Sequence, residues 1–172
     1  MSLNQALTNE VIHELENSRK VISAFKNEQL DYKPDEKSMS VKQLTSHVAE
    51  LHHWIISVLT TNQLDFQTDY KPLNLGSIEE IVAHLEQSLE ASKQALAAVT
   101  DAGWNDTWSL KSGAHVIMAA SRYAMLRNIV LNHIIHHRGQ LTVYLRLLHN
   151  YVPGVYGPSA DDMIAMKQAQ QQ

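Results

Sequence analysis

Apolar residues recur at helical spacing in three stretches of the chain, each opened by a serine with a glutamine or glutamate three positions on. After Ser2 and Gln5 the stripe is Leu3, Leu7, Val11, Leu15, Ile22 and Phe25; after Ser40 and Gln43 it is Val41, Leu44, Val48, Leu51, Ile55 and Val58. After Ser77 and Glu80 it is Ile78, Ile81, Val82, Leu85, Leu89, Leu96 and Val99. The serine and the residue three positions later can satisfy each other's free backbone amides, so the pattern predicts three amphipathic helices with legible starts. A fourth is predicted from about Ser121 to His149, with Leu126, Ile129, Val130, Ile134, Leu141, Tyr144, Leu145 and Leu148 on one side. At 1.5 Å per residue it would be roughly 40 Å long.

Between these stretches, "LDYKPDEKSM" and "DFQTDYKPLNLG" read as loops, and "TWSLKSGAHVIM" could form a short hairpin around Ser112 and Gly113. In the tail "YVPGVYGPSADDMIAM", Ser159 stands three before Asp162 and can cap one short final helix. Four helices that each bury one stripe pack most simply as an all-α four-helix bundle, and the long connections leave its topology open. A single domain over residues 1–165 is expected, with 166–172, ending in "KQAQQQ", as a frayed tail.

The 172 residues, 44% hydrophobic and 19% charged, suit one globular domain, and only six glycines and four prolines argue against a many-stranded fold. A net charge of −4 without a basic face speaks against nucleic-acid binding. The N-terminal stretch lacks a basic lead and a continuous apolar run, so neither a signal peptide nor a membrane span is expected and a cytoplasmic location is the default. There is no cysteine, so disulfides, zinc-thiolate sites and a protein thiol nucleophile are excluded, and any metal must be held by nitrogen or oxygen.

Candidate metal chemistry sits in "NHIIHHRGQ", residues 132–140. With His133 as zero on a wheel of 100° per residue, the fourth helix's apolar side centres at roughly +50°, His137 lies at about +40° and His136 at about −60°. His133 and His137 therefore face the core together and His136 does not. Two imidazoles on adjacent turns must be hydrogen-bonded or bound when buried, and both can reach one divalent ion. The segment is not a zincin motif, because Ile134 stands where that motif has its glutamate.

A third ligand would come from the second helix, where His53 points outward while His47 and His52 lie on opposite flanks of the stripe; the wheel does not choose between them, and Trp54 tilts the balance slightly to His47. Glu50, one turn beyond His47, could serve as a base or fourth ligand, but the wheel places it away from the core, which favours an ion pair or solvent contact instead. His13, His84, His115 and His149 stand alone and read as surface or structural.

The segments "SVKQLTSHVAELHHW", "LNHIIHHRGQLTVYLR" and "VPGVYGPSADD" together resemble, in order and over nearly the whole chain, the DinB-like metal-binding bundles. The resemblance implies an up-down-down-up bundle, a homodimer, and a divalent metal (zinc, nickel or iron, the identity not readable) held by His47, His133 and His137. Arg138 and Gly139 match the family's RG; Arg138, facing about 140° from His133, reads as an ion-pair or dimer-contact residue. Related bacillithiol transferases and mycothiol-dependent maleylpyruvate isomerases imply a metal-dependent transferase joining a small-molecule thiol to an electrophile, in stress response or detoxification. The competing expectation is a non-enzymatic bundle that the metal merely supports. No catalytic residue is assigned.

Overall fold

Serine caps set the helix starts, and they lie where the spacing places them. Ser2 accepts from the Gln5 amide, Ser40 from Gln43 and Ser77 from Glu80. At Ser40 the pairing is reciprocal, with the Gln43 side chain accepting from the Ser40 amide. At Ser77 the Glu80 carboxylate turns instead to the Gly76 amide. Each such cap stabilises its helix by about 1 kcal/mol.

The computed structural model describes residues 1–171. Its long helices are α1 (Leu3–Ile22), α2 (Val41–Thr60), α3 (Ile78–Ala98) and a composite α4. The last passes from an α-helical turn (Arg122–Met125) through a π-helical stretch (Leu126–Leu131) into a second α-helical length (Asn132–Leu147). A short α5 (Ala160–Ala169) follows and reaches beyond residue 165.

Helix directions can be read from the polar contacts at their ends. Asn4, at the start of α1, donates to the Val99 carbonyl beyond α3, while Asn27, beyond α1, accepts from the Ile78 amide at the start of α3; these two run antiparallel. Arg122, at the start of α4, donates to the Val58 and Thr61 carbonyls at the end of α2, so this pair is antiparallel as well. Between the helices lie fully buried Leu15, Ile22, Leu44, Leu51, Ile55, Ile81, Leu85, Leu96 and Leu126, drawn from all four stripes.

The expectation of a purely all-α fold is corrected: the chain is mostly helical but carries a small three-stranded sheet. The hairpin forms as β2 (Thr107–Ser112) and β3 (His115–Ser121), turning at Gly113, whose φ of 59° a side chain would disfavour. A third strand, β1 (Gln63–Asp65), pairs parallel to β2 in the order β1-β2-β3. Three residues are too few to show a period, so β1 exists because β2 offers it an edge. The Asp65 carboxylate accepts from the Gly113 and Gln67 amides, which hold its pKa below the usual range and tie the hairpin turn to the segment after α2.

After α4 the tail folds back onto the body. Asp161 accepts from Arg146 and the Val152 amide, and Asp162 from Tyr151 and the amides of Gly154 and Ser159. A Cβ at Gly154 would collide with the Gly157 carbonyl and the Asp162 carboxylate, so this close approach requires glycine. The fold-back carries Tyr156 to α1 and α4, where its hydroxyl donates to Glu14 at 2.8 Å and receives Arg138 Nη2.

Candidate metal centre

Helix α2 presents His47 and α4 presents His133 and His137 to one another. One nitrogen from each ring lies within 4.8 Å of the others. The ring centroids are 5.2 Å (His47 to His133), 5.0 Å (His47 to His137) and 4.5 Å (His133 to His137) apart, and the last two rings bring their Nε2 atoms to 2.7 Å. All three residues are half-buried, so the cluster is reachable from solvent.

The outer nitrogen of each ring is engaged. His47 Nδ1 donates to Glu50 Oε2 at 2.9 Å, His133 Nδ1 to the Ile129 carbonyl at 3.3 Å, and His137 Nδ1 to Gln140 Oε1 at 2.7 Å. A carbonyl or carboxylate accepts only from an N–H, so each contact favours the tautomer with its proton on Nδ1 and a lone pair on Nε2. Three converging lone pairs fit a divalent ion, and this outward anchoring is what orients histidine ligands at metal sites. Burial, and then the neighbouring His137 and His47, push the His133 pKa down to about 4; His137 is lowered as well, by burial first. Both rings are therefore neutral at pH 7, the form that binds metal.

The other histidines offer no nitrogen to this cluster, although the His136 ring lies 4.9 Å from that of His137. His52, the alternative the wheel left open, is fully buried on the opposite flank of α2, where its Nε2 meets Ser18 Oγ of α1 at 3.1 Å. His136 is exposed, and exposed His53 faces His84 at 6.0 Å between ring centroids. His13 packs near the Tyr156 ring and contacts Asn17.

Two placements differ from the wheel. Glu50 is buried rather than outward, because residues 66–75 fold over its face of α2. Besides His47 it accepts from the Tyr70 hydroxyl and the Leu73 amide, both at 3.0 Å. An aromatic pair four apart, Phe66 and Tyr70, in a segment that otherwise reads as loop was the available sign that it covers a helix. Arg138 is only 1% exposed: it pairs with buried Glu14 at 2.6 Å and also donates to the Glu14 carbonyl. The π-helical stretch explains the misplacement. It carries more residues per turn, so a uniform 100° wheel drawn through Leu126–Leu131 slips in phase, and the α-helical part that follows buries Ile134, Arg138, Leu141 and Leu145 at its centre. His133 and His137 lie on the flank of that face, next to α2.

Fold and site together define a mostly helical protein with a solvent-reachable cluster of three histidines able to hold a metal. The chain belongs to the DinB family, whose model matches residues 1–171. Among solved structures it is similar to a DinB-like protein from Bacillus subtilis, at 18% identity and a TM-score of 0.69, over 90% of this chain and 99% of that one. It is also similar to a DinB-like protein from Bacillus cereus ATCC 10987, at 22% identity and a TM-score of 0.66, over 86% and 94%. No curated protein matches the chain. Among the described residues no helix is long and apolar enough to cross a membrane.

Proposed function

We propose that this protein is a cytoplasmic divalent-metal protein, with His47, His133 and His137 as ligands, and that it transfers a low-molecular-weight thiol to an electrophile in stress response or detoxification. The observation that carries this reading is the convergence of three lone-pair nitrogens whose opposite ring nitrogens are all anchored. Three neutral histidines leave coordination positions open, which distinguishes a reactive site from a closed structural one. When bound, a divalent ion supplies Lewis acidity that favours the thiolate form of a thiol at neutral pH.

The chain's own residues contribute position rather than a nucleophile, since there is no cysteine to compete with the incoming thiol. Glu50 fixes the tautomer and plane of His47, and the backbone of α4 does the same for His133 through Ile129. In the transfer the thiol sulfur bonds to the electrophilic carbon, the thiol proton passes to solvent and the leaving group departs with its bonding pair.

The same reading takes the four long helices as an up-down-down-up bundle and the protein as a homodimer. The antiparallel pairs α1–α3 and α2–α4 support the first. Exposed Val143 and Leu147 on α4 support the second, which sedimentation velocity tests directly.

Incubating zinc-loaded, tag-free protein with a small thiol and a soft electrophile tests the activity. Thiol consumption above the uncatalysed rate, lost in a folded His133→Ala variant, is expected. No turnover in any metal form, together with a large fall in melting temperature on chelation, would instead identify a metal that only supports the bundle.

A further inference from the structure

We propose that Tyr70 is a positioning residue for the three-histidine centre, acting through Glu50 on His47. The inference rests on the reading of that centre as a metal site.

Glu50 is a carboxylate with 7% exposure, and among the described residues it has no lysine or arginine partner; its charge is stabilised by donors alone. Oε2 is shared by His47 Nδ1 at 2.9 Å and the Tyr70 hydroxyl at 3.0 Å, while Oε1 takes the Leu73 amide at 3.0 Å. Three donors arriving from two directions fix the position and plane of the Glu50 carboxylate, and with them the direction in which His47 is held.

The Tyr70 hydroxyl is itself rigidly placed. Its ring packs on Phe66 at 5.0 Å and on Trp54 at 5.8 Å, and Phe66 lies 6.0 Å from Trp54, so three rings support one another. Trp54 follows Glu50 by four residues and His47 by seven, so ligand, carboxylate and aromatic seat lie along one face of α2. Burial, followed by the Glu50 charge, pushes the Tyr70 pKa up to about 12, so the phenol remains a donor at neutral pH.

Glu50, Tyr70 and Leu73 also line a cavity of about 340 Å³ with Trp54, Ser57 and His84. Removal of the phenolic oxygen would open Oε2 to water from that cavity, and a water-bonded carboxylate can turn away from His47. Replacement by phenylalanine keeps the ring packing and removes only this hydrogen bond.

Cobalt(II) alone, titrated into tag-free metal-free protein and followed by its visible absorption, tests the relay in the wild type, Tyr70→Phe, Glu50→Gln and the double variant. Tyr70→Phe should bind cobalt about 3- to 10-fold more weakly and Glu50→Gln roughly 10- to 100-fold more weakly. The double variant should bind no more weakly than Glu50→Gln, because the tyrosine acts through the glutamate. A melting temperature within a few degrees of wild type separates this effect from lost packing. Unchanged or tighter binding by Tyr70→Phe, or effects that add in the double variant, would overturn the relay while leaving the metal site standing. Failure of the wild type to take up cobalt would overturn both.

Discussion

The Nε2 atoms of His133 and His137 lie 2.7 Å apart, while the Nδ1 atoms behind them face the Ile129 carbonyl and Gln140 Oε1. With both protons on Nδ1, two lone pairs oppose each other; if one proton moves inward to bridge them, an outer hydrogen bond is given up. A cation between the rings removes the conflict. Changing either histidine to alanine should therefore abolish tight zinc binding while altering the stability of the metal-free protein by less than ~1 kcal/mol, since both rings are half-buried. Calorimetric titration and urea unfolding of the same samples check the two halves of that expectation.

The three candidate ligands are not equally supported. His47 is backed by a buried carboxylate, His137 only by an exposed neutral amide. Gln140→Ala should weaken zinc binding by no more than about 3-fold, well short of the roughly 10- to 100-fold loss typical when a strong partner of a metal-binding histidine is removed. Competition titration against a chromophoric chelator measures the difference.

Buried Arg138 and Glu14 meet at 2.6 Å, with the Tyr156 hydroxyl bonded to both. Arg138→Met strands the Glu14 charge in the core and should cost about 3 to 5 kcal/mol. Adding Glu14→Leu should recover part of that loss, because the stranded charge goes with it. Urea unfolding of the single and double variants gives both numbers.

Helix starts and core stripes were legible because caps and periodicity are local properties of the sequence. The pairing of His133 and His137 on one side of α4 was legible for the same reason: a spacing of four on one helix needs no knowledge of a neighbour, although the pair sits on the flank of the buried face rather than at its centre. The choice between His47 and His52 was not, since it depends on which flank of α2 receives which helix. α4 takes the His47 side, and α1, through Ser18, takes the His52 side. The burial of Glu50 was missed because a distant segment covers it, and that of Arg138 because of the π-helical phase slip, although Arg138 does form the ion pair expected of it. β1 could be read only once its partner strand was in place.

His52 should make the fold sensitive to mild acid. Burial, and then the Arg138 charge, push its pKa from 6.5 down to about 3. The unfolded chain therefore takes up the proton first; the stabilisation is complete above pH 6.5 and is lost as pH falls toward 3. Between pH 7 and 4.5 this one ring should cost about 2 to 3 kcal/mol, the amount by which the slope of His52→Leu should fall short of the wild type's; the lowered His133 and His137 keep a remaining slope in both proteins. Urea unfolding of chelator-treated wild type and variant at the two pH values checks the sign and the size.

The central claim is that His47, His133 and His137 form a metal centre. Elemental analysis of tag-free protein after dialysis against buffered zinc at pH 7 tests it most directly, with the triple alanine variant alongside. One bound equivalent in the wild type and none in the variant is the predicted result. No uptake by the wild type, or equal uptake by both proteins, would contradict it.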